Sequence, residues 1–178
     1  MRKRRGQLLE ETELRDYALR LLAARALTVA QLKQRLRPRA ADPASVERIV
    51  TQLKEYGALD DRRFADSFSS ARAASGQFGR TRVLAELLSR KVAPKVAEQA
   101  VRRAFEGLDE DRMAAEWLER KYRNQDLVAV LAQPARLAAA YRRLRHAGFS
   151  SGAAIRALKR YSGQADRLEE LEEAPPAD

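Results

Sequence analysis

The chain has 178 residues, no cysteine and a single histidine, His146. A zinc site or a thiol redox centre therefore has almost no ligands to draw on, and a chain this long buries enough surface to fold without such staples. Lysine and arginine number 35 against 25 acids; residues 166–178 hold six of those acids and one base, which leaves a net +15 on the remaining chain.

A body this basic attracts nucleic acid or an acidic protein surface, and does so in a salt-dependent way. Only seven of the 35 cations are lysine. Arginine's planar fork suits bidentate contacts with phosphate, although a GC-rich coding sequence accounts equally well for that ratio. It does not account for the net charge.

Residues 1–12 read as a basic, disordered arm. Leu8 and Leu9 are too short an apolar core for a signal peptide, and Glu10, Glu11 and Glu13 do not suit a transit peptide. The apolar stretches at 127–132 and 137–141 are too short to span a bilayer. A cytoplasmic, soluble protein is the expectation.

Valine, isoleucine and threonine together number 15 while alanine alone numbers 33, a balance that favours helix. Leu14, Tyr17, Ala18 and Leu21 recur at helical spacing, as do Leu32 and Leu36, then Val46, Ile49, Val50 and Leu53. Thr28 with Gln31 forms a capping box. Asp42 precedes Pro43 as an N-cap before a first-turn proline. Gly57 closes the third helix and Asp60 caps the next. Residues 13–59 thus predict a three-helix unit.

That unit recurs. Leu36, Leu87 and Leu144 are related by shifts of 51 and 57, as are Val50, Val101 and Leu158, and Ile49, Ala100 and Ala157. Pro43 matches Pro94, with Ser151 in the third slot. Gly57 with Asp60, Gly107 with Asp109 and Gly163 with Asp166 repeat the punctuation, and Tyr17, Phe68 and Trp117 supply a large aromatic to each first helix. The additional residues of the third unit fall at 124–134, as a longer loop. The expected fold is all-α: three tandem three-helix repeats, 13–59, 60–108 and 109–165, stacked into an elongated, curved array, with an acidic disordered tail at 166–178.

The segment Gly57-Ala58-Leu59-Asp60-Asp61-Arg62-Arg63-Phe64-Ala65, with Arg72 downstream, resembles the signature of the RecX family, regulators of the RecA recombinase. Arg80-Thr81-Arg82-Val83-Leu84-Ala85-Glu86-Leu87, followed by Arg90-Lys91-Val92, is similar to that family's central helix and basic turn. The likeness covers about residues 13–162. One departure is Arg39-Ala40, where family members carry a basic residue and then glycine, so this turn is expected to close differently. The resemblance implies a protein that lies in the groove of a RecA filament on single-stranded DNA and restrains its growth, ATPase and strand exchange, within recombination, repair and the SOS response. Double-stranded DNA is a second candidate ligand; no membrane partner and no cofactor are implied, and a monomer is expected.

The junction residues Gly57, Leu59, Asp60, Asp61, Arg63, Phe64 and Ala65 read mainly as structural. Asp60 and Asp61 suit a helix cap and first turn better than a metal or catalytic pair. Phe64, Phe68 and Trp117 read as core in preference to base-stacking residues. For contact with DNA or filament, the candidates are Arg142 with Arg145 and Arg156 with Lys159 and Arg160, which share helix faces on either side of Gly148. Arg80, Arg82, Arg90 and Lys91 continue that basic track, against the alternative of a solvated charged face.

No nucleophile–base pair or glycine-rich phosphate loop is evident, so a non-catalytic protein without metal is expected. Two rivals remain. The helix–Gly148–helix pattern resembles a helix-turn-helix repressor, although residues 151–161 offer no Asn or Gln for base readout. A protein-only helical scaffold is the other.

Overall fold

The computed structural model describes residues 8–165. Residues 1–7 of the expected basic arm and the expected acidic tail at 166–178 lie outside them. Among the described residues the regular structure is helical: α1 Glu11–Ala24, α2 Val29–Leu36, a 3-10 turn Arg37–Arg39, α3 Pro43–Glu55, α4 Asp61–Ser75, α5 Arg80–Ser89, α6 Pro94–Ala104, α7 Glu110–Lys121, α8 Leu127–Leu131, α9 Pro134–Ala147 and α10 Ser151–Lys159. The all-α expectation holds. No helix among these residues is long and apolar enough to cross a membrane.

The helices start where side chains satisfy the free N–H groups of a first turn. Thr28 Oγ accepts from the Gln31 N–H at 3.2 Å, and Gln31 Oε1 returns the bond to the Thr28 N–H at 3.2 Å. Asp42, Asp60, Asp109 and Ser150 cap α3, α4, α7 and α10 by accepting from a first-turn N–H, without the return bond. Pro43 and Pro94 open α3 and α6, and Ser151 opens α10, as the repeat predicts. The repeated apolar positions are core: Leu36, Leu87, Leu144, Ile49, Ala100, Ala157, Val50, Val101 and Leu158 are all buried.

The described chain divides into two compact units. The first holds residues up to Phe68 together with Glu86–Ala100; the second holds Ser69–Ala85 together with residues from Val101 onward. The second expected repeat, 60–108, is thus shared between them.

In the first unit, α1, α2 and α3 pack around Leu14, Leu32, Leu36, Ile49 and Leu53. Most of the junction motif lies at this core's margin, and each of its residues has a mechanical part. Gly57 takes a left-handed φ of 66° after α3, a backbone that glycine adopts without penalty. The Arg63 guanidinium donates to the Gly57 carbonyl at 2.7 Å. Leu59 and Ala65 are buried. Asp60 caps its own helix, and Asp61 Oδ1 accepts from the Val29 N–H at 2.8 Å, serving the first turn of α2. Phe64 stacks on Phe68, rings 5.9 Å apart and 11° from parallel.

In the second unit, α10 packs on α7 and α9. A first-turn carboxylate again serves another helix: Glu110 of α7 accepts from the Ser150 N–H at 3.0 Å and its hydroxyl at 2.8 Å.

Several expectations change. Residues 8–12 are ordered: α1 opens at Glu11, and Leu9 donates to the Arg39 carbonyl at 2.7 Å while accepting from the Ala41 N–H at 3.0 Å. That bridge, with the 3-10 turn before it, is how Arg39-Ala40 closes; Ala40 is extended at φ −76°, so no glycine is needed there. The equivalent positions Lys91 and Gly148 are left-handed, at φ 62° and 95°. The stretch 124–134 is not simply a longer loop; it contains α8, capped by Asp126. Gly57 and Gly107 are left-handed terminators, but Gly163 is not, because α10 ends earlier, at Lys159.

Candidate nucleic-acid interface

The second unit contains a groove of about 480 Å³ whose wall is cationic and aromatic. Three helices supply it. Trp117, Arg120 and Lys121 lie one turn apart at the end of α7; Arg143, His146 and Ala147 share one face of α9; Arg82 comes from the first turn of α5, with Phe78 just before it. No acidic residue lines it. A wall lined by cations and rings, with no carboxylate in it, sets a positive local potential.

Three of the arginines bond to neutral groups. The Arg82 guanidinium reaches His146 Nδ1 at 3.0 Å and the His146 carbonyl at 3.1 Å. Guanidinium can only donate, so Nδ1 accepts and the ring proton sits on Nε2. Arg143 donates to the Tyr122 hydroxyl at 2.9 Å, and Arg120 donates to the Gly76 carbonyl. Arg72 and Arg82 both lie over the Phe78 ring, at 4.5 and 5.4 Å from its centroid. The groove thus sets forked donors beside aromatic rings, a combination of charge and flat apolar surface.

The residues expected from sequence are placed differently from one another. Arg82 enters the groove. Arg80 donates weakly to the Phe105 carbonyl at 3.4 Å. Arg90, in the first unit, lies 4.6 Å over the Phe68 ring and donates to the Glu86 carbonyl at 2.9 Å, while Lys91 is exposed on its left-handed turn. Arg145 donates to the Phe149 carbonyl at 2.9 Å, closing the end of α9. Arg156 makes a two-pronged pair with Asp111, at 2.6 and 2.9 Å, which holds that carboxyl below the usual range for an aspartate. Arg142, Lys159 and Arg160 are exposed.

Sequence spacing favours Arg142 with Arg145, whereas the groove uses Arg143 with His146 on the neighbouring stripe of the same helix. Trp117, expected in the core, is only partly buried and stands in the groove wall. Asp60 and Asp61 are caps, and among the described residues no group of three or more His, Asp or Glu side chains is placed to hold a metal.

Comparison with known proteins gives a consistent picture. Residues 15–53 match the profile described as RecX, first three-helix domain, and residues 60–101 match RecX, second three-helix domain. The regulatory protein RecX of Chromohalobacter salexigens is 34% identical over 113 residues, 64% of this chain and 72% of that one. Its namesake in Halorhodospira halophila is 42% identical over 88 residues, 49% of this chain and 54% of the relative, so the match spans about half of that relative's length. The crystal structure of RecX from Lactobacillus salivarius shares the fold, with a TM-score of 0.65 at 15% identity over 85% of this chain and 96% of its own. Another RecX crystal structure gives 0.63 at 19% identity, over 80% and 68%. With both three-helix domains matched in order and a relative aligned over 72% of its length, the chain belongs to the RecX family.

Proposed function

We propose that this protein is a non-catalytic, cytoplasmic regulator that binds a RecA-type recombinase filament on single-stranded DNA and restrains its ATPase, extension and strand exchange. The observation that carries the reading is the groove of the second unit, where Arg82, Arg120, Lys121 and Arg143 surround aromatic rings with no acid among them. Such a wall favours a phosphodiester over an acidic helix, because it offers ring faces as well as charge. The regulatory name borne by its relatives supports the same direction. We read the frame as three tandem three-helix modules over 13–59, 60–108 and 109–165, the third carrying the short α8 as an insertion.

The rival repressor reading draws on the succession of α9, the left-handed Gly148 and α10. Its basic residues weaken it, since Arg145 and Arg156 are engaged within the protein.

The test is a DNA-stimulated ATPase assay of the cognate recombinase. Added below stoichiometry, the protein is expected to slow hydrolysis. An unchanged rate at equimolar protein would overturn the reading.

A further inference from the structure

An arginine covers the first-helix aromatic twice in this molecule. The Arg39 guanidinium lies 4.7 Å over the Tyr17 ring, and Arg90 lies 4.6 Å over Phe68. Both members of the second pair follow those of the first by 51 positions, so the pair belongs to the repeat. In the third repeat the aromatic is Trp117, eight residues after the cap Asp109 as Phe68 is eight after the cap Asp60. The arginine position, 57 after Arg90, is Ala147.

The methyl group of Ala147 cannot cover an indole. Trp117 and Ala147 instead stand together in the wall of the groove of about 480 Å³. The indole is steadied by a T-shaped contact with Phe149, ring centroids 6.5 Å apart. The place that a guanidinium fills over Tyr17 and Phe68 here has no side chain from position 147 beyond a methyl group and borders that groove.

The surroundings select that ligand. Arg82, Arg120, Lys121 and Arg143 repel a partner's arginine, the residue that fills the place elsewhere. A plain apolar side chain would stack but leave the cations unanswered. An unstacked nucleobase answers the ring and its phosphodiester answers the charge. Bases within a duplex are already stacked and paired, so the strand must be single.

We propose that Trp117 is a base-stacking platform for single-stranded DNA, opened by alanine at position 147 where the first two repeats keep an arginine. This rests on the reading that the protein acts on single-stranded DNA, and it names the contact through which it does so.

Trp117 is the only tryptophan, so indole emission reports on this position alone. Full-length protein titrated with a short oligodeoxythymidylate is expected to show saturable quenching and protection of the indole from acrylamide. By the anisotropy of a labelled oligodeoxythymidylate, which needs no indole, Trp117→Ala is expected to bind roughly five- to 150-fold more weakly, the range for losing one stacked base, while Trp117→Phe retains most of the affinity and guards against a folding effect. Ala147→Arg is the sharper variant. It adds a positive charge, yet is expected to bind more weakly and quench less, because the arginine reoccupies the ring.

Absence of oligonucleotide binding, binding without a change in emission, or tighter binding by Ala147→Arg would each overturn the platform. The filament reading is judged separately, by the ATPase: slowed hydrolysis with silent emission removes only the platform, and quenching with unchanged hydrolysis removes only the filament.

Discussion

Gly79 and Gly148 meet backbone to backbone. A Cβ on Gly79 would stand 2.1 Å from the Gly148 carbonyl oxygen, and one on Gly148 would stand 2.4 Å from Arg82 Cβ. The Gly79 N–H donates to the Ala147 carbonyl at 2.9 Å, which seats the start of α5 on the α9–α10 turn. In the first unit the residue 51 positions earlier, Thr28, donates its hydroxyl to the Arg90 carbonyl at 2.8 Å. The docking of a second helix on the turn of the following repeat is therefore made twice, once by a hydroxyl and once by the absence of side chains.

Gly148→Ala should be among the most damaging single methyl additions. Overpacking costs about 1–3 kcal/mol, and a left-handed non-glycine residue adds roughly 1–2 kcal/mol. A fall in Tm of roughly 5–15 °C is expected for a chain of this size. Gly57 is equally left-handed but has nothing within 4 Å of its added Cβ, so Gly57→Ala should lose only the backbone part. Thermal melts followed by circular dichroism compare the two; equal losses would discount the close approach.

The junction carboxylates give a second prediction. Asp61→Ala removes the acceptor for the Val29 N–H and should cost about 0.5–2 kcal/mol, as for a lost cap. Asp60 titrates below its ordinary 3.8, chiefly because the Arg63 and Arg62 N–H groups donate to its ionised form. Its stabilisation is thus complete above about pH 4 and is lost as pH falls through the lower folded value. Asp60→Asn keeps a capping oxygen without a titration. Its melting temperature should fall less steeply than wild type between about pH 4 and pH 3.

Caps and cores were legible because they are local or periodic: Thr28 with Gln31, Asp42 with Pro43, and the recurrence of Leu36 as Leu87 and Leu144 are written in short spacings. Asp61 was legible as a first-turn acid but not as the acceptor for Val29, a contact spanning 32 residues. The groove escaped for the same reason, since α5, α7 and α9 each bring a few residues to it. One signal did exist. Ala147 breaks the arginine series Arg39, Arg90, and on α9 the stripe Arg143, His146, Ala147 is as regular as Arg142, Arg145.

Lys91 offers a stabilising change. It holds φ 62° with a side chain attached, where the third repeat places Gly148. Lys91→Gly relieves about 1–2 kcal/mol of left-handed strain and gives back about 0.5–1 kcal/mol through a freer unfolded chain. A net gain of a degree or two in Tm is expected. A loss would mean that the lysine stem contributes packing that outweighs its backbone.

The basic residues flanking Gly148 should separate into two classes. Arg145→Ala leaves the Phe149 carbonyl without its donor and should cost about 1 kcal/mol. Arg156→Ala frees Asp111 and should destabilise measurably, though modestly for so exposed a pair. Arg142→Ala and Arg160→Ala should leave the melt unchanged. Any DNA-binding loss in these last two then reports contact, whereas a loss in Arg145→Ala must first be corrected for stability.

Salt dependence counts the phosphate contacts in the groove. Each cation that neutralises a phosphate of a single strand contributes about 0.7 to the slope of log affinity against log salt. Lys121 and Arg143 come from different helices and line the groove beside Trp117. If both meet phosphates, the double variant Lys121→Ala, Arg143→Ala should flatten the slope by about 1.4, while the quenching of Trp117 at saturating oligonucleotide persists. Because stacking involves no counterion release, Trp117→Phe should leave the slope as it is. A double variant with wild-type slope would place the phosphodiester elsewhere on the basic surface, whatever its affinity.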